Sequence, residues 1–257
     1  MSQLDLACEA DISPRHLSFV ETGRSAPSRD MVLHLAERLD VPMRERNVLL
    51  VAAGFAPVFP ERSLTDPALE AVRKAVDLVL EAQKPYPALA VDRHWNMVAT
   101  NGALPELYEG VAPSLLQPPV NVLRLSLHPE GLAPRTANLA EWRAHLLMRL
   151  GRQIDFTADP VLIELMRELA GYPLPAGHSP LHSVVPEYTV AVPFQINTRV
   201  GRLSFYGTTA VFGTPVDVTL SELALENFFP ADAATAATVR RLAGIPDASA
   251  LQSAVAA

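Results

Sequence analysis

Two short helical patterns that are separated by only two residues constrain the start of the chain most strongly. Residues 2–10 and 13–22 each begin with a serine that can cap a helix, and Asp11-Ile12 alone connects them. Asp5, at the third position of the first helix, can complete a capping box with Ser2. Pro14 stands at the first position of the second helix, where its missing N–H costs nothing, and Gly23 is placed to end that helix. A connection this short makes the two helices neighbours, and the spacing predicts a helix-turn-helix.

The chain as a whole divides into two parts with different sequence patterns. Ser28 can cap a third helix, and Pro42 and Gly54 frame a fourth. We therefore predict an all-helical domain over residues 1–57, a linker over 58–65 and a second domain over 66–257. The second domain mixes helical with period-2 patterns. Its predicted strands are Ala88–Val91, Trp95–Thr100, Tyr188–Thr198, Leu203–Phe212 and Val216–Phe229. Its predicted helices begin near Asp66, Asn138, Asp159 and Ala233, and Asn138 is expected to cap its helix in a capping box with Glu141.

Composition excludes several classes of protein. The chain is 49% hydrophobic, which is too apolar for a disordered protein, and it has no uncharged apolar run of 18 residues that would span a membrane. Cys8 is the single cysteine, so disulfide frameworks and cysteine-based zinc sites are excluded, and we expect it to be a packing residue. With its acidic start and no positively charged leader, the sequence predicts a soluble cytoplasmic protein.

The second helix has one side that is unusual for a solvated surface. On a helical wheel the core side carries Leu17 and Val20, with Ile12, and the opposite side carries Arg15, Ser18, Phe19 and Thr22. An exposed Phe19 beside Arg15 suits the major groove of DNA, where arginine can bind guanine and apolar groups contact thymine methyls. Gln3 can reach a phosphate or a base edge.

The first 57 residues resemble the DNA-binding domain of Xre/Cro-type, lambda-repressor-like regulators. The shared pattern is Gln3, Ala7, Ile12, Leu17, Glu21, Gly23 and Pro27-Ser28. The resemblance implies that the second helix enters the major groove of double-stranded DNA. It assigns DNA contacts to Gln3, Pro14, Arg15, His16, Phe19, Arg24 and Ser28, the last two to the DNA backbone.

Two departures from that pattern weaken the expectation of DNA binding. The family has a further helix before the one that bears Gln3, so we expect a late start or a truncation at Met1. Residues 1–57 hold six arginines and eight acidic residues, a net charge of −2, whereas DNA-binding domains are normally basic. We therefore expect weak or absent DNA binding by this chain, and a helical protein-interaction module stays open as an alternative.

The second domain resembles the PAS-like ligand-binding domain of the MmyB-like regulators. The stretches that carry the resemblance are ALAVDRHWNMVATN, VLRLSLHPEGLAPRTANLAEWRAHLLMRLGRQ and LSFYGTTAVFGTPVDVTLSELALENFFPADAATA. It implies an α+β fold with a five-stranded antiparallel sheet, helices on one face, and a pocket between them for a small apolar ligand such as a fatty acid. Asn101 is expected to cap the helix after the second strand.

The candidate ligand contacts combine apolar and polar residues, since pockets are mostly apolar with a few polar groups. They are Arg124, His128, Arg143, Trp142, Leu146, Phe194 and Phe205. An arginine fork would bind a carboxylate ligand. Other apolar residues expected in the core or pocket are Val192, Leu203, Val211, Leu139, Leu162 and Met166. The apolar residues could equally belong to the hydrophobic core without contacting a ligand. Arg124 and Arg143 could form salt bridges with Glu141 or Asp155 instead.

Signals of catalysis are weak. Gly177-His178-Ser179-Pro180-Leu181 lacks the second glycine of a nucleophile elbow and stands in a proline-rich segment. His178 and His182 with Glu187 have a spacing that metals can use, but they lack an HExxH motif. We therefore predict neither an enzyme nor a metal or cofactor site.

The favoured interpretation is a transcription regulator whose second domain senses a small apolar effector, acting as a homodimer on an operator. The apolar residues of helix 66–84, Leu69, Val72, Val76 and Val79, can pack within the domain or across the dimer. Two alternatives stay open: a lipid sensor or carrier that no longer binds DNA, and a serine hydrolase that uses Ser179.

Overall fold

The computed structural model describes residues 2–174 and 191–245. The α-helices are α1 (Gln3–Glu9), α2 (Pro14–Glu21), α3 (Arg29–Arg38), α4 (Met43–Ala52), α5 (Glu70–Ala82), α6 (Val122–Leu127), α7 (Leu139–Thr157), α8 (Pro160–Gly171), α9 (Val218–Ser221) and α10 (Ala233–Leu242). The strands are β1 (Ala88–Val91), β2 (Met97–Thr100), β3 (Phe194–Thr198), β4 (Gly201–Val211) and β5 (Ala224–Pro230). The chain forms two compact units: residues 1–65 with 213–221, and residues 66–212 with 222–257.

Serine hydroxyls fix the helix starts of the first unit. Ser2 forms the predicted capping box with Asp5, and the Ser13 and Ser28 hydroxyls accept the third backbone N–H of α2 and α3. Each cap satisfies an N–H that has no partner inside its helix, which is worth about 1 kcal/mol. Asp11 lies in the left-handed region at φ 49°, so the turn between α1 and α2 closes within two residues.

The α1–α2 pair packs on a small apolar core. Leu6, Ala7 and Leu17 are buried together, with Ile12 and Leu35 packed against them. Leu17 and Ile12 thus face the core as predicted, whereas Val20 is only half-buried.

The segment predicted as a linker is held against α4. The Asn47 amide donates to the Phe59 carbonyl at 2.8 Å and accepts from the Val58 and Phe59 N–H groups. Arg44 forms a two-pronged salt bridge with Glu61 at 2.6 and 2.8 Å. Residues 58–61 are therefore part of the first unit.

The prediction of one long strand over Val216–Phe229 is wrong. The Asp217 carboxylate accepts the Thr219 N–H at 2.9 Å and a hydrogen bond from Arg62 at 3.0 Å. This turn starts the single-turn helix α9, and the strand β5 begins only at Ala224. An Asp side chain that bonds two residues ahead favours a turn over a strand.

The second unit contains the predicted five-stranded antiparallel sheet, in the order β2-β1-β5-β4-β3. Glu226 of the central strand pairs with Leu89 on one side and Thr209 on the other, and Phe205 pairs with Phe194. Because side chains alternate between the faces of a strand, these residues share one face. The apolar side chains of α7 lie over this face, with α6 and α8 packed against α7.

One expectation about an individual apolar residue needs correction. Val211 is 65% exposed rather than in the core, because it lies in the last six residues of β4, all of which are exposed.

The apolar residues of α5 divide between two surroundings. Val76 and Leu80 are buried within the unit, whereas Val79 is exposed. Packing of Val79 across a dimer stays a prediction.

Two asparagines have roles other than those predicted. Asn138 does not cap α7 with its side chain; it joins β3 instead, by donating to the Pro193 carbonyl and accepting the Gln195 N–H. No α-helix follows Asn101 directly. Its side chain bonds the Ala88 N–H and the carbonyls that precede β1.

Candidate ligand cavity and helix-turn-helix surface

A cavity of about 240 Å³ lies in the second unit, between one face of the sheet and the helices α6 and α7. Its wall is mostly apolar. The lining residues are Pro87, Leu89, Trp95, Leu107, Tyr108, Val122, Leu123, Leu125, Ser126, Leu132, Trp142, His145, Leu146, Arg149, Ala191, Val192, Phe194, Phe205, Gly207, Glu226 and Phe228. An apolar wall with a few polar groups is typical of small-molecule sites.

Hydrogen bonds hold both tryptophans of the wall in place. The Trp142 indole N–H donates to the Ser126 hydroxyl at 2.9 Å, and the Trp95 N–H donates to the Gln153 amide oxygen at 2.8 Å. The Trp142 ring packs on Phe194 with 5.1 Å between ring centroids. Because their polar atoms are satisfied, the rings present fixed apolar surfaces to the cavity.

One part of the wall carries an ion pair that joins α7 to the sheet. The Arg149 guanidinium forms two hydrogen bonds with the Glu226 carboxylate, at 2.8 and 3.2 Å, and a third with the Thr209 hydroxyl at 2.9 Å. Thr209 donates in turn to Glu226 at 2.9 Å. The guanidinium carbon also lies 4.9 Å from the centre of the Trp95 ring, a cation–π arrangement.

His145 stands one helical turn before Arg149 and stacks on Trp142, with 5.4 Å between ring centroids. Burial lowers the pKa of His145, and the nearby Arg149 lowers it further. The imidazole is therefore neutral at neutral pH. Burial likewise raises the pKa of Tyr108, so its hydroxyl stays protonated. With Arg149 and Glu226 compensating each other, these four cavity groups carry no net charge.

The structure brings four of the seven proposed ligand residues together on the cavity wall: Trp142, Leu146, Phe194 and Phe205. The three polar ones do not line it. Arg124 forms a two-pronged salt bridge with Glu168. The His128 ring packs edge-to-face against Tyr172, with 5.0 Å between ring centroids.

Arg143 also has a structural role in place of the proposed one. Its guanidinium donates to the carbonyls of Leu169, Ala170 and Tyr172 at the end of α8. These carbonyls lie in and just after the last turn of α8, where the helix supplies few N–H donors, so Arg143 acts as a C-terminal cap. A fork for an anionic ligand therefore does not form from Arg124 and Arg143.

Sequence reasoning missed the residues that form the polar part of the cavity: His145, Arg149, Thr209 and Glu226. One signal pointed to Glu226, because a lone acidic residue interrupts the apolar strand ALENFFP. The sequence gives no sign that Arg149, 77 residues earlier, is its partner.

The proposed DNA-contacting residues lie mainly on α2 of the first unit. Pro14 and Arg15 are exposed, and His16 is half-buried on the same first turn. Phe19 is half-buried rather than exposed, and the Arg15 guanidinium lies 5.3 Å from its ring centre. The side chain of Gln3 donates to Glu21 across the two helices.

Arg24 and Ser28 follow α2. Arg24 is exposed in the connection between α2 and α3. The Ser28 oxygen caps α3, which leaves its O–H free to donate to a phosphate.

The sequence motifs weighed for catalysis, residues 177–181 and His182 with Glu187, lie outside the described residues. Within the described ranges, no group of three or more metal-ligating side chains forms a candidate metal site. Cys8 is exposed rather than packed. None of the helices in these ranges is long and apolar enough to cross a membrane.

A family model, the MmyB-like transcription regulator ligand binding domain, matches residues 72–242, well over half of the chain. The chain belongs to this family. A helix-turn-helix model matches residues 1–46 of the same MmyB-like regulator. No curated protein matches the chain. The cavity lies within the region matched as a ligand-binding domain, and the α1–α2 pair lies within the region matched as a helix-turn-helix. An MmyB-like protein with both parts is a ligand-sensing, DNA-binding transcription regulator.

Proposed function

We propose that this regulator changes its DNA binding when a small apolar effector occupies the cavity between α7 and the sheet. The observation that carries the proposal is the apolar cavity itself, since most of its wall consists of aromatic and aliphatic side chains. The four apolar contacts are Trp142, Leu146, Phe194 and Phe205. The family resemblance makes fatty acids one candidate class of effector.

We further propose that α2 is the helix that enters the major groove. Its first two turns present Arg15, His16 and Phe19 along one side. In helix-turn-helix proteins the N-terminal residues of this helix contact base edges. Gln3 can add a contact if its side chain leaves Glu21 and donates its hydrogen bond to the DNA instead. Arg24 and Ser28 can reach the DNA backbone.

The effector controls DNA binding only if it binds two conformers of the protein with different affinity. A homodimer provides such conformers, because two helix-turn-helix units must match half-sites about one turn of DNA apart. We expect the protein to act where its DNA is, in the cytoplasm.

The experiment selects duplexes from a random pool with the purified protein and then measures affinity by fluorescence anisotropy at two salt concentrations. We expect Arg15→Ala to weaken binding about tenfold or more, which corresponds to roughly 1–3 kcal/mol for a base-contacting arginine. Arg38→Ala, at the C-terminal end of α3, is the matched control and should bind DNA like the parent protein.

A second candidate function is a lipid sensor that does not bind DNA. The net charge of −2 over residues 1–57 favours it, because phosphate contacts need basic side chains. This candidate predicts that no duplex is enriched even at low salt, although the cavity still takes up an apolar ligand.

A further inference from the structure

The cavity wall contains a carboxylate in an otherwise apolar place. Glu226 lies in the middle of the central strand, its side chain is 8% exposed, and its neighbours on the same face of β5 are Ala224 and Phe228. A buried carboxylate is costly unless it is paired and hydrogen-bonded. Arg149 and Thr209 supply that pairing with hydrogen bonds of 2.8 to 3.2 Å.

The ion pair leaves hydrogen-bonding capacity for a ligand. The two Glu226 oxygens accept three hydrogen bonds from Arg149 and Thr209, and a carboxylate has about four acceptor sites. The Arg149 guanidinium uses three of its five N–H groups in its bonds to Glu226 and Thr209. The neutral imidazole of His145 adds one donor and one acceptor beside them.

The charge of this site is already balanced. A ligand carboxylate placed here would gain the attraction of Arg149 but would meet the repulsion of Glu226, a second carboxylate on the same guanidinium. Two carboxylates that share one site disfavour each other's charged form. A neutral hydroxyl or amide meets no such repulsion and can both donate to Glu226 and accept from Arg149 or His145.

We infer that the effector of this regulator is an apolar molecule with an uncharged hydrogen-bonding end group, of the alcohol or primary-amide class, and that Glu226 excludes carboxylates, including the fatty acids that the family resemblance suggests. The inference rests on the proposed function and specifies its ligand. The cavity of about 240 Å³ is slightly below the roughly 300–1,000 Å³ of drug-sized sites, so the body of the ligand is of moderate length.

The test compares three probes of equal chain length: decan-1-ol, decanamide and decanoate, at pH 8, where decanoate is ionised. The full-length protein is titrated with each while its tryptophan fluorescence is recorded. Both tryptophans of the chain, Trp95 and Trp142, line the cavity, so the signal reports occupancy directly. We expect decan-1-ol and decanamide to bind at least tenfold more tightly than decanoate.

Glu226→Gln then tests the cause of the preference. It keeps the shape of the side chain and removes the negative charge, so decanoate should bind at least tenfold more tightly than to the parent, while decan-1-ol changes less than threefold. Glu164→Gln, on the exposed surface of α8, is the matched control and should leave all three affinities unchanged.

The outcomes separate the inference from the proposed function. If the parent protein binds decanoate as tightly as decan-1-ol, the inference is overturned and the ligand-sensing function stands. The same holds if Glu226→Gln folds and leaves the ranking of the probes unchanged. If none of the three probes binds, both the inference and the cavity's proposed role are overturned. Should Glu226→Gln fail to fold, the ranking of probes on the parent protein decides.

Discussion

Replacing Arg149 with methionine should destabilise the second unit, because it leaves the buried Glu226 carboxylate without its cation. Thr209 remains as a hydrogen-bond donor, but no charge compensates Glu226. Removing one partner of a fully buried ion pair costs about 3–5 kcal/mol. The Arg149 side chain is 26% exposed, so we expect the smaller value of roughly 2–3 kcal/mol.

The assay is thermal unfolding of the purified protein followed by circular dichroism at pH 7. For a domain of this size each kcal/mol corresponds to a shift in Tm of about 2–4 °C, so Arg149→Met should lower the Tm of the second unit by roughly 4–12 °C. The double variant Arg149→Met/Glu226→Leu removes both charges and fills the site with apolar atoms. Its Tm should return close to that of the parent.

The double variant also decides between two readings of the ion pair. A large coupling between the two substitutions means that the cost arises from the unpaired carboxylate. If the single and double variants have the same Tm, or if Arg149→Met shifts it by less than about 1 °C, then water solvates Glu226, and the claim that Glu226 depends on Arg149 for charge compensation is refuted.

Two further predictions concern other parts of the second unit. Burial raises the pKa of Asp159, but its hydrogen bond from His94 and its other partners lower the pKa more, so the net pKa lies below its usual value. The stability that this carboxylate provides is therefore fully present when the pH is above the ordinary carboxyl pKa, and it is lost as the pH falls through the lowered pKa of the folded protein. Asp159→Asn should accordingly cost about 1–3 kcal/mol in urea unfolding at pH 7 and less at pH 3, and an equal cost at both pH values would contradict this. Gly207 lines the cavity, and a Cβ added there would lie 3.8 Å from the Phe228 ring, an ordinary contact distance. Gly207→Val should thus occupy cavity space and weaken the binding of decan-1-ol at least fivefold with little loss of stability, whereas Gly207→Ala should weaken the binding less. Equal affinities in both variants would show that the probe binds elsewhere.

Sequence reasoning succeeded where the signal is local. The capping serines Ser2, Ser13 and Ser28 and the Asp159-Pro160 pair bond groups two or three residues away, so the starts of these four helices can be predicted from a few letters. The family resemblance supplied what local patterns do not, namely the number and antiparallel arrangement of the strands, which the sheet confirms.

Sequence reasoning failed where a side chain has a partner far along the chain. Arg124 seemed free to bind a carboxylate ligand, but it pairs with Glu168 on α8. Asp217 stood inside an apparent strand, but its bond to Arg62, 155 residues earlier, stabilises a helical turn. The polar part of the cavity depends on the same kind of contact, between Arg149 and Glu226. Which charges meet follows from the topology of the sheet and helices, and a single sequence does not show it.

Mass spectrometry of the purified protein under native and then denaturing conditions tests the central claim, that the cavity of this MmyB-like regulator holds a small apolar ligand. A cavity that holds such a ligand gives a native mass above that of the polypeptide, with the excess released on denaturation, or else uptake of added decan-1-ol by the native protein at one molecule per chain. The bare polypeptide mass in both spectra, unchanged after decan-1-ol is added, would contradict it.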